Sequence, residues 1–172
     1  RAVTPGTHVV AVGHDIEKGS IIMNQGERIR LSSLGMLASC GIKEVPVMKK
    51  PLVALMSTGD ELVESGSRTL DVGEIYDVNS TILRQAIKNT GCDVAYMGIV
   101  KDEFEQLKQK IDEAIVTADI IILSGGTSKG EGDLGPEVLK TYDDIEVMVH
   151  GVQVKPGKPN IFAKLKNAMI FI

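Results

Sequence analysis

The sequence has no tryptophan, and its 172 residues include only three phenylalanines and three tyrosines. So few rings leave little for the stacking platforms on which single-strand nucleic-acid binders rely. An excess of positive charge is also missing: 19 Lys and Arg stand against 23 Asp and Glu, for a formal net charge of −4. A dedicated nucleic-acid binder usually carries a basic face. Two cysteines, Cys40 and Cys92, are too few for a disulfide framework and too far apart in sequence for a metal pair. No apolar run approaches the roughly 20 residues that span a bilayer, and no charged-then-apolar leader opens the chain. The expected compartment is the cytoplasm, with neither nucleic acid nor membrane as a partner. His8, His14 and His150 share no ligand spacing and are read as incidental.

What is present suits a globular chain. The hydrophobic share is 43% and the charged share 24%, enough apolar mass for a core and no charge excess of the disordered kind. The length corresponds to one domain, or one with an appendage. Position 1 is Arg rather than Met, and the chain stops in the apolar run Ala168-Met169-Ile170-Phe171-Ile172. We therefore expect a piece of a longer protein.

Residues 1–50 differ from the rest. Short apolar runs at 7–12 and 20–23 are broken by Gly6, Gly13, Gly19 and Gly26, which predicts small strands and turns. One helix follows, with Ser32 as its expected N-cap, a stripe of Leu34, Leu37 and Ala38, and Gly41 as its stop. Pro46 and Pro51 bracket a linker. From there the pattern alternates. Residues 52–57, 93–100 and 120–123 are short apolar runs of the buried-strand kind. Residues 79–90 make an amphipathic helix capped by Asn79 or Ser80, with Ile82, Leu83, Ala86 and Ile87 on one face. Phe104, Leu107, Ile111, Ala114 and Ile115 make a second stripe, and Pro136 opens a third helix. Residues 146–154, 160–165 and 168–172 read as three more strands, the last two joined at Lys166-Asn167. Strand–helix–strand–helix–strand at this spacing predicts a mostly parallel sheet with right-handed crossovers and helices on both faces.

In such sheets ligands bind outside the carboxyl ends of the strands. After the first strand comes STGDEL (57–62), and after the second Lys101-Asp102. After the third comes SGGTSKGEGD (124–133), with four glycines in ten residues, and after the fourth KPGKP (155–159). Each alone is an ordinary surface turn, but together they fall at one edge. Consecutive glycines permit a backbone nest whose N–H groups face an anion, with Ser and Thr hydroxyls as further donors. Lys129, Lys155 and Lys158 offer positive charge. Acids facing an anion make sense as Mg²⁺ ligands or as proton carriers. The loop has neither the P-loop spacing nor that of the dinucleotide fingerprint.

STGDEL, GEIYDVN (73–79), GCDV followed by Gly98 to Asp102, SGGTSKGEGD and KPGKP, in this order, closely resemble the molybdopterin molybdotransferase family, of the bacterial MoeA and animal gephyrin E-domain type. The resemblance runs through essentially the whole chain. It implies that residues 51–172 are a three-layer molybdopterin-binding α/β domain, and residues 1–50 the tail of a preceding β-rich region. It also implies insertion of molybdate into molybdopterin, adenylylated in the family's reaction, with Mg²⁺ as cofactor and a homodimeric assembly. Carried over by motif, the catalytic acids match Glu61, Asp102 and Asp133, and the metal ligands Asp60, Glu61 and Asp133. The ligand-binding positions match Thr58, Gly59 and Asp60; Ser124, Gly125, Gly126, Thr127 and Ser128; and Lys155, Pro156, Gly157 and Lys158. Many members carry a basic residue four positions before the matching lysine, where this sequence has Gly151. The family's next motif, a Gly-Leu-Pro-Gly-Asn-Pro-like loop, would begin after Ile172.

The implied reaction is ligand exchange at molybdenum: dithiolene sulfurs of the pterin replace oxo groups, and the departing oxygens are protonated. Which acid does which job stays open at this point. So do two other readings: a module that holds a phosphorylated ligand without chemistry, and a scaffold of the gephyrin kind.

Overall fold

The computed structural model describes residues 2–125, 134–155, 158–165 and 167–172. The chain divides into two compact units, Arg1–Met48 and Lys49–Ile172.

The first unit holds one helix, α1 (Leu31–Ser39), among hydrogen-bonded turns such as Val9 N–H to Gly6 O and Ser20 N–H to Glu17 O. No strand forms among its described residues, so the small β-rich segment expected there is absent. The runs at 7–12 and 20–23 are too short to stand as strands without partners, and Val9 and Val10 are 73% and 70% exposed. Helix α1 begins one residue before the expected cap: Arg30 holds the N-cap position and its side chain makes no capping bond. Its end is as the sequence predicts. Gly41 N–H bonds Ala38 O and Ile42 N–H bonds Leu37 O, both at 3.0 Å, the paired closure of a Schellman motif.

The second unit is a six-stranded sheet with helices on both faces. Its strands are β1 (Leu52–Thr58), β4 (Asp93–Val100), β5 (Ile120–Ser124), β6 (Ile145–His150), β7 (Ile161–Leu165) and β8 (Met169–Phe171), in the order β4-β1-β5-β8-β7-β6. The first four in that order run parallel; β7 is antiparallel to β8 and β6 antiparallel to β7. Between β1 and β4 in sequence lie two short strands, β2 (Leu62–Val63) and β3 (Ile75–Tyr76), which pair in parallel as a separate ribbon, followed by helix α2 (Val78–Asn89). Helices α3 (Phe104–Thr117) and α4 (Leu134–Leu139) complete the unit.

The two sheet faces explain why β1 is apolar throughout. Val53 and Leu55 pack with Ile87 and Leu83 of α2 on one side. Ala54 and Met56 pack with Leu107, Ile111, Val138 and Ile170 on the other. A strand covered on both faces needs a continuous apolar run rather than an alternating one. Among the methionines, Met56 is buried and Met97 packs against the core, while Met48 and Met169 are exposed. Met48 stands in the linker and Met169 on the opposite face of β8 from buried Ile170.

The register levels the strand ends. Ser57 lies opposite Ser124 and Thr58 opposite Val100. The second pairing depends on one extra residue in β4, between the pairs Leu55–Tyr96 and Ser57–Ile99. Gly98 takes φ +90° at this bulge, a conformation glycine adopts without steric cost. Because β6 runs parallel to β8, the chain turns back toward β7 at the same carboxyl edge. The strand expected to reach residue 154 stops at His150: Gly151 N–H bonds Asn160 O and Val152 N–H bonds Lys158 O, which closes the chain into a turn.

Candidate functional site

Three neighbouring strands deliver their following turns to one place. Thr58, the last residue of β1, donates its hydroxyl proton to the carboxylate of Asp102, two residues past β4. The Asp102 backbone N–H in turn reaches Asp60 Oδ1 at 3.4 Å, and Gly59 N–H reaches Val100 O at 3.4 Å. The first and second candidate turns are therefore tied together. Ser124, at the end of β5, accepts a hydrogen bond from Asn79 Nδ2 at 3.1 Å, which joins β5 to the start of α2. Gly125 presses against β1: a Cβ there would lie 2.4 Å from the Thr58 carbonyl oxygen, at φ +112°.

Beneath this edge lies a buried carboxylate that the motif comparison did not single out. Asp77 is 3% exposed and caps α2, accepting from Ser80 N–H at 3.0 Å and from the Tyr96 hydroxyl at 3.2 Å. Burial pushes its carboxyl up, but the Ser80 N–H and the neighbouring hydroxyls of Ser57, Ser80 and Tyr96 more than offset this and hold it below the ordinary carboxylate range. The Ser57 hydroxyl is fully buried beside it without completing a hydrogen bond. The expected caps, Asn79 and Ser80, lie inside the helix instead. Asp77 takes the N-cap role because its side chain can accept from the N3 position, as Asp commonly does.

The edge opens into a cleft of about 570 Å³. Thr58, Glu61, Asp77, Asn79, Ser124 and Gly125 line its polar part, and Leu62, Leu70, Ile75, Tyr76 and Val78 its apolar part. Its wall between β2 and β3 is firmly built. Arg68 makes a two-pronged ion pair with Glu74, at 2.5 and 2.7 Å, Glu74 also accepts from Asp71 N–H, and the Tyr76 hydroxyl donates to Arg68 O. Chiefly through the Arg68 hydrogen bond, the Glu74 carboxyl is lowered to about 2.

Of the residues the sequence singles out, Thr58, Asp60 and Asp102 are joined by hydrogen bonds, while Glu61, Ser124 and Gly125 share the cleft. Lys155 does not end a strand. It stands in the exposed turn after β6, which is separated from β5 by β8 and β7, and Lys158 is in the same turn. Asn160, at the close of that turn, lines a second, smaller cleft together with Ser124 and Gly125. Gly126, Thr127, Ser128, Asp133, Pro156 and Gly157 lie outside the described residues, as does Lys129. Among the described residues no group of three or more His, Cys, Asp or Glu side chains comes together to hold a metal. Asp60 and Glu61 share one turn, and their expected third partner is Asp133. Leu70, Tyr76, Asp77 and Asn79 are cleft residues that sequence reasoning missed, although GEIYDVN contains three of them.

A sheet of this topology, with its polar turns at the carboxyl ends of adjacent parallel strands and a cleft there, defines an α/β small-molecule-binding domain. Residues 54–172 match the family described as a probable molybdopterin binding domain, and the chain belongs to that family. It is 36% identical over 164 residues to the molybdopterin molybdenumtransferase of Haemophilus influenzae, covering 95% of this chain and 40% of that protein. It is also 36% identical over 172 residues to the gephyrin of Dictyostelium discoideum, covering 94% of this chain and 24% of that protein. The crystal structure of the molybdopterin biosynthesis MoeA protein from Pyrococcus horikoshii superposes with a TM-score of 0.79 at 37% identity, covering 92% of this chain and 39% of that one. The chain thus spans well under half the length of these relatives.

Proposed function

We propose that this chain is the molybdopterin-binding part of a molybdopterin molybdenumtransferase, inserting molybdate into molybdopterin that arrives adenylylated. Residues 51–172 would be the binding domain and residues 1–50 the tail of a preceding region. The observation that carries the reading is the linked set of Thr58, Asp60 and Asp102 across the ends of β1 and β4, beside a cleft shared with Glu61 and Ser124.

The residues divide by chemistry. The Ser124 hydroxyl and the exposed backbone of Gly125 supply neutral donors for an anionic group, and Lys155, Lys158 and the turn they stand in supply charge. Gly126, Thr127 and Ser128 extend the same role. Asp102 is held in place by the Thr58 hydroxyl, so once its carboxylate has taken up a proton from solvent it can pass that proton to an oxygen that leaves the metal, its position already set. Glu61 and Asp133 are the other proton carriers. Mg²⁺ takes one or two protein carboxylates together with water and phosphate oxygens; Asp60 and Glu61, with Asp133, would hold it, and it would neutralise charge on the substrate's phosphates. A homodimer in the cytoplasm completes the proposal. The dimer is supported by edge strand β6, which leaves Val147, Met148 and Val149 exposed, the kind of edge that proteins cover. Among the described residues no helix is long and apolar enough to cross a membrane.

The test is Asp102→Asn in the intact protein. Asparagine keeps an oxygen to accept from Thr58 but cannot carry the proton. Molybdopterin binding is expected to stay within a few-fold of the parent, while molybdenum insertion into a reconstituted molybdoenzyme falls by roughly 100-fold. Lys155→Ala is expected to do the reverse, weakening binding with a smaller effect on the saturated rate. Insertion at the parental rate by Asp102→Asn would remove the catalytic assignment.

A further inference from the structure

Asp77 and Asn79 take no part in the proposed chemistry, although both stand in GEIYDVN and both line the cleft. They nevertheless join several elements. Asp77 is tied to β2 by its N–H to Val63 O at 2.9 Å, to β4 by the Tyr96 hydroxyl at 3.2 Å, and to the first turn of α2 by Ser80 N–H at 3.0 Å. Further along the same helix, Leu83 and Ile87 pack on Val53 and Leu55 of β1. The start of α2 is thus fixed against the sheet, and Asn79 with it.

From that place the Asn79 side-chain amide donates from Nδ2 to Ser124 Oγ at 3.1 Å, across 45 residues of sequence. A serine hydroxyl holds one proton and two lone pairs. With one lone pair taken by Asn79, the proton is left to donate, and among the described residues no other side chain bonds Ser124. A hydroxyl that accepts a hydrogen bond is also polarised into a better donor. An acceptor in place of the Asn79 amide would do the opposite and consume the proton. Pairing opposite Ser57 of β1 already sets the Ser124 backbone, so the orientation of its hydroxyl is what Asn79 decides.

We infer that Asn79 is a positioning residue, whose side-chain amide makes the Ser124 hydroxyl a dedicated donor to a bound anion. This rests on the proposed function, which gives Ser124 an anion to hold, and goes beyond it by naming the residue that orients the hydroxyl. Asn79 acts through Ser124, not on the anion itself.

A double-mutant cycle tests the inference, with molybdopterin titrated into the intact protein and binding read by fluorescence. Ser124→Ala removes a donor to a charged group and is expected to weaken binding roughly ten- to hundred-fold. Asn79→Ala removes one neutral hydrogen bond and is expected to weaken it roughly three- to ten-fold. In the double variant, Asn79→Ala is expected to add no more than about two-fold to the loss from Ser124→Ala, because its effect runs through a hydroxyl that is gone. A merely structural role for Asn79 gives additive losses instead. Asn79→Asp separates donation from shape. An acid in the first turn suits a helix, so its urea midpoint is expected to match the parent's, yet it accepts the Ser124 proton and is expected to bind at least as weakly as Asn79→Ala. Parental affinity in Asn79→Ala or Asn79→Asp, or additive losses in the double variant, overturns the inference and leaves the proposed function standing. Parental affinity in Ser124→Ala removes the donor that Asn79 is inferred to orient, and overturns it as well. If the parent does not bind molybdopterin, the proposed function fails and takes the inference with it.

Discussion

Gly125→Ala tests whether the end of β5 must press against β1 for the site to exist. The added Cβ would lie 2.4 Å from the Thr58 carbonyl oxygen and 3.1 Å from its methyl carbon. The closest of these is backbone, so no rotamer relieves it, and one strand end has to move. Holding a non-glycine residue at φ +112° costs about 1–3 kcal/mol, and forcing the packed backbone apart adds about 1–3 kcal/mol. The expected destabilisation is roughly 2–6 kcal/mol. Gly91→Ala is the control: its φ is +90°, but a Cβ there meets nothing within 4 Å, so only the conformational strain of about 1–2 kcal/mol applies. Urea unfolding of the chain with both variants separates the close approach from the strain. A second signature is functional: moving Thr58 disturbs its bond to Asp102, so ligand affinity falls in Gly125→Ala and not in Gly91→Ala. If the two variants unfold within about 0.5 kcal/mol of each other, the strand ends are not held as described.

Two more outcomes follow from the cleft's walls. Asp77→Ala removes the α2 cap, about 1 kcal/mol, and leaves the Tyr96 hydroxyl without its acceptor, a further 1–3 kcal/mol; urea unfolding is expected to show a loss of roughly 2–4 kcal/mol, and a loss below 0.5 kcal/mol would contradict the buried network. The Glu74 carboxyl is held down to about 2 by Arg68, so its contribution is complete above the ordinary carboxylate range and is lost as the pH falls through about 2. A carbon-detected NMR titration is expected to place its midpoint near that value in the parent and in the ordinary range in Arg68→Ala.

Much of the α/β unit was readable because its elements announce themselves locally. Short apolar runs marked β1, β4 and β5 at nearly their observed bounds, and the stripe from Phe104 to Ile115 marked α3. Chain order and spacing then placed the turns after them at one edge. Other features depend on contacts distant in sequence. The ribbon of β2 and β3 is two residues per strand, too short for any periodicity, and it exists because Leu62 and Ile75 meet in space. Asp77 was hidden inside a motif whose Asn79 and Ser80 are equally good caps by composition; only the fold shows which side chain reaches the Ser80 N–H. Lys155 looked like a strand end because residues 152–154 include two valines, yet the chain turns at Gly151, where φ is +83°. In the first unit the reverse holds: its β-branched runs at 7–12 and 20–23 have strand composition, but among the described residues no neighbouring strand pairs with them.

The central claim is that the substrate sits at the carboxyl edge of the sheet, against Thr58, Asp102 and Ser124. A crystal structure of the intact protein with molybdopterin bound tests it most directly. The account predicts the ligand in the cleft between the end of β5 and the β2–β3 ribbon, with a phosphate oxygen within hydrogen-bonding distance of Ser124 and its reacting sulfurs toward Asp102. A ligand bound at the amino edge of the sheet, or on the outer face of α3, would contradict it.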